Sequence, residues 1–186
     1  MSLENVGNYL ESVENVHIAF LHETRSDGED FEFNFIKKGL EKEEHCCYST
    51  NEPEEVRRRM SDYGIDVKKY EKRNLLAIFS TPESLEGFSK MAEEQIITLT
   101  NSSVPCRFVY SNNFEFDTPD KTNIREKIEL FLDDKFSKNT RNTICSYHIP
   151  RIKQNLANDF MKNLLDSHHF VIIQTKDGKV ATFNHP

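Results

Sequence analysis

The sequence predicts an α/β domain of three layers: a mainly parallel sheet with helices on both faces and a hairpin at its C-terminal end. Three observations predict it. Apolar runs of strand length recur along the chain, and each of the first five is followed by a stretch with helical spacing. Such alternation calls for right-handed crossovers and a parallel sheet covered on both sides. The last two runs are instead separated by Asp177-Gly178, a tight-turn pair. The 186 residues are enough to bury one core. They read as one domain (16–186) behind a leading helix (1–15), with no internal repeat, low-complexity segment or linker.

In chain order, the leading helix would place Val6, Tyr9, Leu10 and Val13 on one side. Val16–Glu23 is the first strand. It is expected at the centre of the sheet together with Cys106–Ser111. A helix follows from about Ser26, where Ser26 and Glu29 have capping-box spacing and Phe31, Phe35, Gly39 and Leu40 follow in phase. His45–Ser49 is the second strand. Pro53 sits in the first turn of the next helix, Val56, Met60 and Tyr63 line it, and Gly64 stops it. A charged connector leads to Leu75–Phe79, a strand expected to be buried on both faces. A helix from Thr81-Pro82 carries Leu85, Phe88 and Leu99, and one from Thr118-Pro119 carries Ile124, Ile128, Phe131, Leu132 and Phe136. Between them lies the strand Cys106–Ser111. Thr143–Ile149 is the next strand, and Pro150 begins a helix with Ile152, Leu156, Phe160 and Leu164. Phe170–Gln174 and Val180–Phe183 form the hairpin.

Composition narrows the function. Against 24 Lys+Arg stand 31 Asp+Glu, a net charge of −7. That argues against nucleic acid or an anionic membrane as the main partner, since both require a basic footprint. Arg57-Arg58-Arg59 reads as the solvated face of a helix. The polar, acidic N-terminal stretch does not read as a signal peptide, and the apolar run Leu75–Phe79 is far too short to cross a bilayer. The expectation is a soluble, cytoplasmic protein. Cys46, Cys47, Cys106 and Cys145 form no Cys-x-x-Cys pair and read as reduced core thiols. His17 and His22 open and close one strand, about 16–17 Å apart, so they cannot share an ion. No metal site and no cofactor are expected from these spacings.

The turn after the first strand decides the chemistry. It holds one glycine, Gly28, and no Gly-Lys-Ser/Thr, so it cannot wrap a triphosphate in backbone amides. His17–Glu23, the stretch Phe35–Glu44, Cys46–Thr50, Glu52–Val56, Tyr63–Asp66, Ile144–Tyr147 and His168–Ile172 together resemble the MEDS family, the methanogen/methylotroph sensory domain. That family is a branch of the RecA/KaiC-like ATPase fold that lacks the phosphate loop. The resemblance runs over roughly residues 14–186. It implies a RecA-like sheet and a prokaryotic, archaeal or bacterial, signalling domain that binds a small molecule and does not hydrolyse ATP. A RecA-like chain would carry its magnesium-linked aspartate near the end of Cys106–Ser111, where this one has Tyr110, Ser111 and Asn112.

Ligands of open parallel sheets bind beyond the carboxyl ends of the strands. Those ends nominate His22, Glu23, Ser49, Tyr110, Ser111 and Tyr147 as the lining of one cavity. His22 beside Glu23 fits a general base, a ligand contact or a plain exposed strand end. His17 fits a structural hydrogen bond, Arg107 a surface ion pair, and His168 and His169 a helix end facing the dipole's negative pole. The reading is a non-enzymatic, small-molecule-sensing signalling domain whose output passes through a separate signalling protein, with homo-oligomerisation open. The alternatives are a degenerate nucleotide-binding protein and a protein-interaction module.

Overall fold

The structure is a computed structural model and describes residues 3–82, 104–112, 141–152 and 157–184, with 84, 86, 87, 90 and 127 besides. Its elements are α1 (Leu3–Leu10), β1 (His17–His22), α2 (Arg25–Glu41), β2 (His45–Thr50), α3 (Pro53–Asp62), α4 (Val67–Lys72), β3 (Leu76–Ser80), β4 (Cys106–Asn112), β5 (Arg141–His148), α5 (Ala157–Ser167), β6 (Phe170–Gln174) and β7 (Val180–Asn184). The seven strands form one sheet in the order β3-β2-β4-β5-β1-β6-β7. Every pairing is parallel except the terminal hairpin β6–β7. The expected α/β architecture is therefore the observed one, and β4 and β1 flank β5 at its centre.

Residues alternate across each strand. Ile18, Phe20, Tyr48, Val109, Ile144 and Ile172 meet Phe31, Phe35, Ile36 and Leu40 of α2 on one face. On the other face Ala19, Leu21, Cys47, Phe108, Tyr110, Cys145, Tyr147 and Val171 meet Phe160 and Leu164 of α5. Each large apolar side chain buried in these layers contributes about 1.5–3 kcal/mol. β1 has all six of its residues buried, which explains its unbroken apolar run.

Several local expectations change. The N-cap of α2 is Thr24, not Ser26: its Oγ1 accepts from the Asp27 amide at 3.2 Å and donates to the Asp27 carboxylate at 2.6 Å. Glu29 is drawn instead into ion pairs with Arg25 and Arg59. The charged connector contains a short helix, α4, capped by Asp66, whose carboxylate accepts from the Lys69 amide at 3.1 Å. Val67 is its one buried residue, too little apolar stripe to show periodicity. β3 is an edge strand with Ala77 and Phe79 half-buried, so it is not covered on both faces. The leading helix ends at Leu10, and Tyr9 is 44% exposed, its ring edge-on to Phe170. Pro150 lies in a 3₁₀ turn, Ile149–Arg151, rather than opening α5. Gly64 does stop α3, at φ +96°, a conformation with little cost only for glycine. Of the helices expected after Thr81 and Thr118, the stripes Leu85, Phe88, Leu99 and Ile124, Ile128, Phe131, Leu132, Phe136 lie outside the described residues, as does Leu156.

Arg107 departs furthest from its expected surface place. It is 4% exposed, at the amino end of β4. Two of its nitrogens donate to Glu11 at 2.6 and 2.8 Å, Nε donates to Glu44, and Nη1 reaches the Phe35 carbonyl at 3.1 Å. The guanidinium also lies over the Phe35 ring, 4.8 Å from its centroid. Burial disfavours the charged form of Glu11, but hydrogen bonds from Arg107 and Lys42 overcome it and hold the carboxyl at about 2. This network ties the end of α1 to α2, β4 and the lead into β2. Breaking a buried pair from one side costs about 3–5 kcal/mol. Arg107→Ala should lower folding stability by that amount in urea titration, whereas Arg58→Ala, at an exposed i,i+3 pair, should change it by less than about 1 kcal/mol.

Candidate functional site

The carboxyl ends of β5, β1 and β6 meet the N-terminus of α2. The turn from β1 is only Glu23-Thr24, and the chain's own imidazole fills the space beneath it. His22 is 4% exposed, its Nδ1–H donates to the Thr24 carbonyl at 2.8 Å, and its ring lies under Gly28. A Cβ on Gly28 would come within 2.5 Å of that ring. Burial is the main cause that pulls the His22 pKa down to about 4, so the ring is neutral near pH 7 with its lone pair on Nε2.

The rim of this region is polar. The His148 ring stacks on His22 with centroids 5.4 Å apart, and its Nε2–H donates to the Glu23 carbonyl at 3.2 Å. The Glu23 carboxylate accepts from the Lys176 amide in the β6–β7 turn at 2.7 Å. Gln174, paired with His22 in the sheet register, is 8% exposed, and its Oε1 has no hydrogen-bond donor among the described residues. A buried acceptor in that state calls for a donor beyond these residues.

One turn deeper along α2, Glu32 is almost wholly buried over three adjacent strands. Tyr48 of β2 donates its O–H to one carboxylate oxygen, Ser111 of β4 reaches the other at 3.4 Å, and the Ser146 hydroxyl of β5 supports the same group. Burial pushes the Glu32 pKa up, and hydrogen bonds from Ser146 and Tyr48 pull it back to about 7. The Tyr48 hydroxyl, raised well above its ordinary value mainly by burial, stays protonated and serves as donor. Glu32 is not among the residues that the strand ends nominate. The available signal was its place in the stripe Gly28, Glu32, Phe35, Ile36 and Gly39, where a carboxyl group interrupts the buried face of a helix.

The sheet divides the six nominated residues. His22 and Ser111 are on the α2 side, and Glu23 is in the turn at the edge. Tyr110 and Tyr147 are on the α5 side, with Ser49, whose hydroxyl is 2.8 Å from that of Thr81. Tyr110 stacks along Phe108, and Tyr147 meets Phe160 edge-on at 5.2 Å. Both tyrosines are core residues, at most 1% exposed. At the opposite, amino edge, a cleft of about 150 Å³ is bounded by Leu10, Glu11, Glu44, Arg107 and Asn142, and the Arg107 network crosses it. Nearby, the ring of His17 meets Cys145 and His168.

Two outcomes follow. Tyr147→Ala should destabilise the unliganded protein by about 3–5 kcal/mol, as removal of a buried aromatic does; a loss below 1 kcal/mol in denaturant titration would place it outside the core. Glu32 binds a proton more tightly in the folded chain than in the unfolded one. Its contribution to stability is therefore complete below about pH 4.5 and is lost as pH rises through about 7. The span is roughly 3 kcal/mol. Glu32→Gln should abolish that fall, so the stability difference between wild type and variant should change by about that span between pH 4.5 and 7; a difference that stays constant with pH would show that another group titrates there.

Comparison with known proteins agrees with this fold. No curated protein matches the chain. A KaiC-like protein from the hyperthermophilic archaeon Pyrococcus horikoshii superposes with a TM-score of 0.66 at 20% identity, over 91% of this chain and 76% of that one. The likeness establishes a KaiC-like, RecA-type fold. The profile of MEDS, the methanogen/methylotroph, DcmR sensory domain, matches residues 16–169. Its span covers most of the sheet, the turn after β1 and the polar cluster under α2, and by that match the chain belongs to the MEDS family of sensory domains.

Proposed function

We propose that this chain is a non-enzymatic sensing domain that recognises a small, neutral, polar molecule at the carboxyl edge of β5, β1 and β6. One observation carries the reading: the first strand–helix turn, where a RecA-type nucleotide site would hold phosphates, is closed around His22 and Gly28. The α2 N-terminus is already capped by Thr24 and carries Asp27 in its first turn, which disfavours a polyphosphate there. The groups at this edge suit an uncharged ligand with hydrogen-bond donors. His22 is held neutral, and Gln174 offers an acceptor.

In this reading His148 and Glu23 form the rim, while Ser111 acts through Glu32 below. Tyr110, Tyr147 and Ser49 support the far face of the sheet. The output goes to a separate signalling protein, by direct contact or through self-association, and the domain works in the cytoplasm. Among the described residues no helix is long and apolar enough to cross a membrane. The negative net charge leaves a nucleic-acid partner without an electrostatic footing.

Native mass spectrometry of the purified protein should reveal a co-purifying small molecule, released by Gln174→Ala and by His148→Ala with the unliganded melting temperature changed by only a few degrees. Calorimetry with ATP and Mg²⁺ should show no binding. Micromolar ATP affinity, or ATP turnover lost on Glu23→Gln, would favour the degenerate nucleotide-binding reading instead.

A further inference from the structure

At the amino end of β1, on the α5 side of the sheet, three metal-ligating side chains converge. His17 opens β1, Cys145 lies in β5, and His168 stands between α5 and β6. All three are buried, at 4%, 0% and 3% exposure. Their ligand atoms lie within 4.8 Å of one another, with His17 Nε2 3.2 Å from Cys145 Sγ. The two imidazole rings have centroids 4.0 Å apart. Donors on one tetrahedral ion, at metal–sulfur and metal–nitrogen distances of about 2.3 and 2.0–2.1 Å, stand roughly 3.3–3.6 Å apart. The cluster is within small side-chain rotations of that geometry.

Two further features fit ligation. His168 Nδ1 is 2.9 Å from the Leu164 carbonyl and 3.0 Å from the Ser167 hydroxyl. Donating Nδ1–H to that carbonyl places the lone pair on Nε2, the arrangement that fixes a metal-bound imidazole. The three residues also come from or adjoin β5, β1 and β6, adjacent strands of the sheet. The His17 amide is held by His169 Nδ1 at 3.1 Å. The ligands are thus set on a rigid frame, as a metal site requires.

We propose that His17, Cys145 and His168 form a binding site for a thiophilic d¹⁰ metal ion, Cu(I) in preference to Zn(II). One thiolate and two neutral imidazoles suit both ions. The preference follows from charge. Cys145 loses its proton to solvent as the sulfur–metal bond forms, so a bound Cu(I) leaves no net charge in the apolar layer of Leu21, Phe160 and Leu164. Zn(II) leaves one uncompensated positive charge there, which burial disfavours. The inference is independent of the ligand site at the carboxyl edge, since the two occupy opposite ends of β1 and opposite faces of the sheet.

The full chain, stripped with chelator and refolded anaerobically, would be titrated with Cu(I) and separately with Zn(II) against a chromophoric chelator. One equivalent of Cu(I) should bind, more tightly than Zn(II), and binding should release one proton. Co(II) used as a probe should give a thiolate-to-cobalt absorption band on the folded protein. Cys145→Ser and His168→Gln should each weaken binding more than about 100-fold, beyond the loss typical of an outer-shell partner. Cys47→Ser, on the same face two strands away, should leave it unchanged. Circular dichroism verifies that each variant is folded. Tighter Zn(II) than Cu(I) binding would overturn the charge argument. Binding of neither ion, or binding that survives Cys145→Ser in a folded protein, would leave the three residues as a hydrogen-bonded core cluster and overturn the site.

Discussion

How closely α2 lies on the sheet sets most of the rest. Two glycines, three turns apart on one stripe of the helix, allow the approach. At Gly28 the helix rests on the His22 ring, and at Gly39 a Cβ would come within 2.7 Å of both Arg107 Cδ and Cys46 Sγ. Between these two points the helix backbone is near enough for a glutamate to reach three strands at once. The same closeness places the Phe35 carbonyl and ring against Arg107. Widening the gap by one methyl at either glycine would disturb the imidazole at one end and the ion-pair network at the other.

Strands were legible in the sequence because burial writes itself into composition: Ile18-Ala19-Phe20-Leu21 has no place but the interior. Edge or centre was not legible, because Leu75–Phe79 is as apolar as β1 and yet borders the sheet. Tyr110 and Ser111 show the limit at the site. Both end β4, but adjacent residues of a strand point to opposite faces, so a roll of strand ends mixes two separate environments. Glu32 was hidden because a charged residue in a helix ordinarily marks the wet side. The approach of His17, Cys145 and His168 depends on strand order, and no local spacing encodes it.

Within the layer under α2, two buried titratable groups pull against each other as pH changes. Glu32 favours the folded state more as it gains its proton. His22 does the opposite: its stabilising influence is full above pH 6.5 and is lost as pH falls through about 4. Their windows overlap, so between about pH 4.5 and 6.5 the two contributions oppose each other. The neutral imidazole and the proton-holding carboxyl also keep formal charge low inside the sheet, in contrast to the ion pairs joining α2, α3 and α4 outside it. Arg25 and Arg59 there bind Glu29 and Glu52, and Arg57 binds Glu54 and Glu71.

The position of β1 has a kinetic meaning. It is made early in the chain, yet its neighbours β5 and β6 are made late: His17 pairs with Thr143, a separation of 126 residues. β2, β3 and β4 can zip together from nearer segments, but β1 has no partner strand among the described residues until β5 has emerged from the ribosome. Until then an apolar ribbon with two unsatisfied edges remains exposed. Contacts of such long range form slowly, and unpaired strand edges invite association. Nascent chains halted before residue 141 should therefore depend on holding chaperones far more than the finished domain does.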